Sequence, residues 1–197
     1  MTKLDLLIGD ITNTDADIIV FSAHPSLLAG SGVSGAIHKA AGKELEAAAK
    51  KFAPLKVGEA IITPAFNLKA KYVIHTICPR FIQGTIEEKK LLAQAYNSAL
   101  NMYESLQDVN SIAFMSIGTG VYRWPLNEAS KIAIRCMARS KFPQTMMYLS
   151  DQRTKDAYEN ALKSWFSFNH KHQMNVCNRE LHMNLRHLIF GLIAFQT

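Results

Sequence analysis

Short apolar segments alternate along the chain with longer segments whose apolar positions recur every three or four residues. The short segments are four to six residues long and rich in branched and aromatic side chains, which favours strands over helices. The sequence therefore predicts six strands, which are Leu4–Ile8, Asp17–Phe21, Ala60–Thr63, Tyr72–Ile77, Ser111–Met115 and Thr145–Leu149.

The longer segments predict helices. Pro125, which suits a first helical turn, precedes one of them, and Asp151 can cap another. The predicted helices cover Val33–Phe52, Ile86–Leu106, Leu126–Arg139 and Asp151–Leu162. Strands that alternate with helices indicate an α/β fold in which helices cover a mostly buried sheet.

The pattern changes after Lys163, so we predict a domain of residues 1–163 and a C-terminal extension of residues 164–197. The extension has no strand pattern, and Arg179–Phe195 has the apolar stripe of a helix. Its spacing of possible zinc ligands fits no familiar motif, so no metal site is predicted. Those ligands are His170, His172, Cys177 and His182.

Composition and charge narrow the class of protein. Apolar residues make up 48% of the 197 residues, enough for a sizeable core, which excludes a disordered chain. The formal net charge of +6 favours anionic partners, either phosphates or nucleic acid. No run of five or six basic residues is present, so a nucleic-acid-binding arm is not indicated.

The cysteines and the ends of the chain predict a compartment. Cys78, Cys136 and Cys177 are an odd number without close pairs, which fits a reducing environment better than a disulfide framework. The first residues are polar and do not resemble a signal peptide, and Leu188–Phe195 is too short to span a bilayer. We expect a soluble cytoplasmic protein that does not associate with membranes.

Two glycine-rich loops each join a predicted strand to a predicted helix. Gly30–Gly35 has the pattern GxGxxG and opens a helix, where backbone amides and the helix dipole favour a pyrophosphate. Ser116–Tyr122 follows another strand and leads to Pro125; consecutive amides in such a turn form an anion-binding nest. Together the loops predict a ligand crevice at the carboxyl ends of the strands.

A nicotinamide-dependent oxidoreductase is a weaker alternative for the first loop. In a dinucleotide-binding unit the glycines directly follow the first strand, and the next strand ends in an acid for the ribose. Here Ser22–Ala29 intervenes, and Ala60–Thr63 is followed by Pro64 and Ala65.

Taken together, the motifs resemble the macro domain family over residues 1–163. The matching segments are Gly9–Thr12, Asp17–Val20, Ser26–Gly42, Gly58–Ala60, Tyr72–Thr76 and Ser111–Pro125. The resemblance implies a three-layer α/β/α sandwich with a mixed central sheet, without a cofactor. It also implies that the crevice binds ADP-ribose, either free or attached to protein or nucleic acid; the oligomeric state is left open.

The resemblance implies roles for individual residues. Asp10 would accept a hydrogen bond from the adenine amino group beside the Ile11 backbone, and Tyr122 would lie against a sugar. The first loop would contact the diphosphate and distal ribose, and the second would close over the diphosphate. The further ligand contacts are Ala23, His24, Gly32, Val33, Ser34, Ser116, Ile117, Gly118, Thr119, Gly120 and Val121.

This chain departs from the family pattern at positions that matter for catalysis. Phe21–His24 stands where the family often has Asn-Ala-Ala-Asn, so His24 replaces the Asn that usually touches the distal ribose. Ser34 stands where hydrolytic members often carry Asp, and it supplies no negative charge at neutral pH. Removal of ADP-ribose from macromolecules, or of the acyl group from O-acyl-ADP-ribose, is therefore an alternative to binding. His24 is the candidate catalytic base in that alternative, whereas in the binding hypothesis, which is favoured, it is a ligand contact.

Three further residues have expected positions. His38 and His75 should pack inside the fold, although both belong to matching motifs. Ser150 occupies the neighbourhood in which the family often places an aromatic ring against adenine.

Overall fold

Six strands form one sheet in the computed structural model, which describes residues 2–168. Each predicted strand is present, with its ends within one residue of the prediction. The strands are β1 (Lys3–Ile8), β2 (Ile18–Ser22), β3 (Ala60–Pro64), β4 (Tyr72–Thr76), β5 (Ser111–Met115) and β6 (Gln144–Leu149). Their branched and aromatic side chains suit a pleated, buried surface.

The sheet is mixed, and its strands lie in the order β1-β6-β5-β2-β4-β3. All neighbours are parallel except β3, which runs antiparallel to β4 at one edge. The carboxyl ends of five strands therefore meet at one side of the sheet. The topology does not contain the dinucleotide-binding unit on which the oxidoreductase alternative was based, because the strand that follows the first glycine loop and its helices is not a parallel neighbour of β2.

Helices cover both faces of this sheet. Helices α1 (Gly32–Ala41) and α2 (Lys43–Ala49) bury Ile37 and Leu45 in one cluster with Phe21 and other side chains from that face of the sheet. Alternation along the strands directs their remaining side chains to the opposite face.

The opposite face is covered by α3 (Ile86–Leu100) and α4 (Leu126–Met137), which pack against each other. The Tyr96 ring centroid lies 5.4 Å from that of Phe114, and Thr76 Oγ1 donates to the Ala95 carbonyl over 3.0 Å. The predicted three-layer α/β/α sandwich is thereby confirmed.

Three predicted helices end earlier than their periodicity suggested, and Leu126–Arg139 does so by only two residues, at Met137. The segment Val33–Phe52 is interrupted at Gly42, whose φ of +96° lies outside the helical region. A side chain at position 42 would also be too close to its neighbours, because a Cβ there would lie 2.8 Å from Glu44 Oε2 and 2.9 Å from Asn67 Nδ2. The segment Ile86–Leu106 is α-helical only to Leu100 and continues as a 3-10 turn, Asn101–Ser105.

The chain divides into a compact unit, Met1–Ala161, and a second unit, Leu162–Thr197. The last described helix, α5, covers residues 152–168, and Asp151 accepts a hydrogen bond from the Thr154 amide at its start, as predicted. The predicted helix Arg179–Phe195 and the four possible zinc ligands lie outside the described residues. The domain boundary at 163 stays a prediction.

A buried histidine pair lies between α1 and the sheet. His75 is fully buried, with Nε2 3.0 Å from Thr63 Oγ1 and its ring centroid 4.9 Å from that of Phe21. Burial, together with a smaller effect of the neighbouring buried His38, lowers the pKa of His75 to about 3. Both histidines therefore pack inside the fold, as expected from the sequence.

We expect the free energy of unfolding to fall as the pH drops from 6.5, because the unfolded chain then protonates His75 while the folded chain does not. One such group contributes a slope of up to about 1.4 kcal/mol per pH unit. His75→Gln, which can still hydrogen-bond Thr63 but does not titrate, should flatten the curve from urea unfolding between about pH 4.5 and 6.5. Phe142→Leu, a core change without a titratable group, should run parallel to wild type. Parallel curves for wild type and His75→Gln would contradict the assignment.

Candidate functional site

Three segments converge at the carboxyl ends of the parallel strands. The first glycine loop follows β2, the second follows β5, and these strands are adjacent in the sheet. Asp10 follows β1, and the 3-10 turn that it caps, Ile11–Asn13, contacts both α1 and β5. The fold thus brings together the three segments that the sequence assigned to one site.

The first loop ends in an open helix N-terminus. Ser31 is the N-cap of α1, but its side chain makes no capping hydrogen bond, and the first turn carries no acid. Within the described residues, the amides of Gly32, Val33 and Ser34 have no acceptor. These amides, together with the positive end of the helix dipole, favour an anionic group.

Close contacts hold the first loop against its helices. A Cβ on Gly35 would lie 2.5 Å from the Gly30 carbonyl oxygen, so α1 can approach the loop only with glycine at this position. The Ala29 amide donates to Glu46 Oε2 on α2 over 2.7 Å. Sequence reasoning missed Glu46, because nothing in a helical pattern distinguishes a loop-binding glutamate from a solvated one.

The second loop also presents free amides. Gly118 has a φ of +87°, and a Cβ there would lie 2.7 Å from Trp124 Cδ1, so the loop packs tightly on that ring. In the described part of the chain, the amides of Thr119, Gly120 and Val121 have no acceptor. Val121 is 72% exposed, which places this end of the loop at the surface.

The beginning of the second loop faces inward. Ser116 Oγ lies 2.8 Å from Tyr158 Oη and 2.9 Å from Thr119 Oγ1, while the Ile117 amide donates to Tyr96 Oη over 3.2 Å. Ser116 and Ile117, both predicted as ligand contacts, therefore have their polar groups occupied inside the protein. In the described part of the chain the Gly118 amide also has no acceptor, so the free amides of this loop begin directly after Ile117.

Tyr122 connects the second loop to the end of β4. Its carbonyl accepts the Phe81 amide over 3.0 Å, and the Arg80 guanidinium carbon lies 6.0 Å from its ring centroid. Burial raises the pKa of Tyr122, the nearby Cys78 raises it further, and Arg80 opposes both effects. Arg80 was missed from the sequence because the segment after β4 carries no glycine motif.

Cys78 lies beside the end of β2, with Sγ 3.2 Å from Ser22 Oγ. Burial raises the pKa of the Cys78 thiol to about 12, against the opposing effect of Ser22. The thiol is therefore protonated at neutral pH and is no nucleophile.

His24 is exposed, and its ring is oriented by Ser26. The Ser26 amide donates to His24 Nδ1 over 3.2 Å, and Ser26 Oγ lies 2.7 Å from the same nitrogen. A nitrogen that accepts an N–H bond carries no proton, so the neutral ring bears its proton on Nε2. His24 thus offers a hydrogen-bond donor outward, and its basic nitrogen is engaged by Ser26.

The β1 side of the site combines a carboxylate with an aromatic ring. Asp10 is exposed, and its Oδ1 accepts the Thr12 amide over 2.9 Å, while the buried Ile11 has an amide without an acceptor in residues 2–168. The Tyr148 ring lies near Gly9, 3.9 Å from the position of a Cβ there. Ser150, in contrast, donates to Asp151 Oδ2 over 2.8 Å.

Other predicted contacts have more limited roles. Ala23 is buried, and its amide donates to the Thr76 carbonyl over 2.9 Å, so this amide is not available to a ligand. Ser34 Oγ lies 3.3 Å from the position of a Cβ on Gly30, and it makes no hydrogen bond to a carboxylate within residues 2–168. No group of three or more metal-ligating side chains occurs among residues 2–168, and no helix there is long and apolar enough to cross a bilayer.

Comparison with known proteins gives a consistent assignment. The family model "Macro domain" matches residues 20–133. An O-acetyl-ADP-ribose deacetylase of Klebsiella pneumoniae is 38% identical over 170 residues, which cover 82% of this chain and 97% of that protein.

Two solved structures have the same fold. The Oceanobacillus iheyensis macrodomain with ADP has a TM-score of 0.79 and 35% identity, covering 83% of this chain and 92% of that one. The Trypanosoma brucei macrodomain in complex with ADP-ribose has a TM-score of 0.71 and 29% identity, covering 81% and 68%. With more than half of its length matched by the family model and about four-fifths shared with these relatives, the chain belongs to the macro domain family.

Proposed function

We propose that this protein binds ADP-ribose, free or attached to protein or nucleic acid, between its two glycine-rich loops. The observation that carries the proposal is the pair of free amide sets, Gly32–Ser34 and Thr119–Val121, at the ends of adjacent parallel strands. Unpartnered amides on both sides of a crevice suit a diphosphate, which accepts several hydrogen bonds at once. The related Trypanosoma brucei macrodomain was solved with ADP-ribose.

The ends of the ligand follow from the groups on either side of the diphosphate. On the β1 side, the adenine amino group would donate to Asp10 while the base packs near Tyr148. On the other side, the distal ribose would accept a hydrogen bond from His24 Nε2 and lie near Ser34. Arg80, beside Tyr122, adds positive charge near the diphosphate.

The net charge supports an anionic ligand, and the cysteines support the cytoplasmic location that we propose. A net charge of +6 favours a nucleotide, or an ADP-ribose group on a larger anionic target, over a cationic ligand. Cys78 and Cys136 are free and buried, consistent with the reducing cytoplasm.

Hydrolysis is the second candidate, favoured by the likeness to proteins named O-acetyl-ADP-ribose deacetylase. The local chemistry of this chain argues for slow turnover. Ser34 offers no carboxylate, and the unprotonated nitrogen of His24 is engaged by Ser26. A base whose lone pair is already occupied must first break that contact to activate water.

Calorimetric titration tests the proposal directly. ADP-ribose should bind more tightly than AMP, because AMP can occupy only part of the two amide sets. Asp10→Asn should weaken the binding of both ligands by about 1–3 kcal/mol. The Asn oxygen can still accept the Thr12 amide, but an NH2 donor replaces the second carboxylate oxygen, which would accept from adenine. Asp15→Asn, which alters an exposed carboxylate in a surface ion pair with Lys69, is the matched control and should change neither affinity. Equal affinities for ADP-ribose and AMP would refute the proposed pose.

Gly120→Val tests the second loop. A Cβ on Gly120 has open space within 4 Å and no backbone strain, so the variant should fold normally. Its side chain should nonetheless crowd the diphosphate and raise the Kd for ADP-ribose by about tenfold or more, equivalent to about 1.4 kcal/mol. Gly118→Val should instead lose stability as well as binding, because Trp124 must move. Wild-type affinity in folded Gly120→Val would show that the loop is an ordinary turn.

Single-turnover assays distinguish binding from catalysis at His24. His24→Gln keeps a donor near the position of Nε2 and should retain ADP-ribose affinity, whereas His24→Ala should lose part of it. Wild type should release ADP-ribose from a modified protein, or acetate from O-acetyl-ADP-ribose, slowly, because general-base assistance of about 10²–10⁴-fold is missing. Fast turnover that survives His24→Ala would point to another catalytic group.

A further inference from the structure

Beneath the second loop lies a buried network of hydroxyl groups. Tyr96 on α3 and Tyr158 on α5 are both fully buried, and they interact through their hydroxyls. Tyr158 Oη reaches Ser116 Oγ at 2.8 Å, and Ser116 Oγ lies 2.9 Å from Thr119 Oγ1. The network connects two helices to the loop that carries the free amides.

At each end of the network, the partner group determines which hydroxyl donates and which accepts. The Ile117 amide can only donate, so Tyr96 Oη is its acceptor and turns its own proton toward Tyr158. At the other end, Thr119 Oγ1 donates to the Ser116 carbonyl over 3.0 Å, which can only accept. Thr119 Oγ1 also donates to Ser116 Oγ, and in the remaining contact between Ser116 Oγ and Tyr158 Oη either hydroxyl can donate.

Such a network is rigid because the loss of any one hydrogen bond leaves a buried polar group without a partner. Burial raises the pKa of Tyr158 to about 12, which keeps its hydroxyl protonated and able to donate. With Ser116 Oγ and the Ile117 amide held inward, the amides from Gly118 to Val121 remain without an acceptor among the described residues and are available to a ligand.

We propose that Tyr158 and Tyr96 are positioning residues that hold the second loop in its ligand-binding shape, an inference that rests on the proposed function. Neither residue touches the ligand; each acts through Ser116 or Ile117. Tyr158 lies beyond residue 133, where the family model ends, so the binding site depends on a helix outside that match.

Tyr158→Phe removes one hydroxyl and keeps the buried ring. In the full-length ligand-free protein, exchange of the hydrogen-bonded amides that close the loop, those of Ile117, Arg123 and Trp124, should accelerate by about tenfold, while exchange in β2 and β4 stays at the wild-type rate. The Kd for ADP-ribose should rise by about tenfold. Ser116→Ala removes a hydroxyl of the same network on the loop side and should give the same local acceleration of exchange. It replaces Tyr158→Phe as the test if that variant does not fold.

Two controls separate positioning from general destabilisation. Tyr103→Phe removes a hydroxyl from a ring that packs on Phe142, away from the loop, and Phe142→Leu loosens the core there. Both should leave the Kd and the exchange of the second loop unchanged. If Tyr158→Phe and Ser116→Ala exchange like wild type in the loop, or accelerate equally throughout the protein, the proposal is wrong. If wild type does not bind ADP-ribose, the proposed function fails, and the exchange comparison still decides the positioning role.

Discussion

The site depends on a division between backbone amides that find acceptors inside the protein and a few that do not. Buried amides must be paired, and the sheet and helices pair them here. At the carboxyl ends of β2 and β5 this pairing stops, because a helix N-terminus and a tight turn leave consecutive amides unmatched. The sheet brings those two places side by side, and the surrounding side chains determine which amides turn outward.

The sequence predicted this architecture well because its signals were local. Branched and aromatic runs located each strand, and glycine at strand-to-helix junctions located both loops. The break at Gly42 was missed because the apolar periodicity continues through it, while the φ of +96° depends on packing against Asn67. The periodicity of a single strand does not show in which direction it runs relative to its neighbour, so it could not identify the antiparallel edge strand β3.

The candidate site was predictable as a set of loops and less so as a set of contacts. Ser116 and Ile117 belong to the glycine-rich motif, yet their partners are Tyr158 and Tyr96, more than 20 residues away for Tyr96 and more than 40 for Tyr158. Glu46 and Arg80 likewise reach the loops from other elements. Short-range spacing locates a backbone turn, but the side chains that orient it are brought together only by folding. The contact between Ser26 and His24 is local, with only Pro25 between them, and it was still not identified from the sequence.

The contact between Gly30 and Gly35 has a consequence for reading related sequences. A Cβ at residue 35 would meet the carbonyl oxygen of Gly30 at 2.5 Å, so this glycine is required by the fold whether or not a ligand is present. Gly120 has open space around it and an ordinary backbone conformation, so the fold makes no such demand there. A relative that had lost its ligand would still need glycine at 35 but would be free to change 120. The exposed Gly120 is therefore the better indicator of a working crevice, although Gly35 completes the more familiar motif.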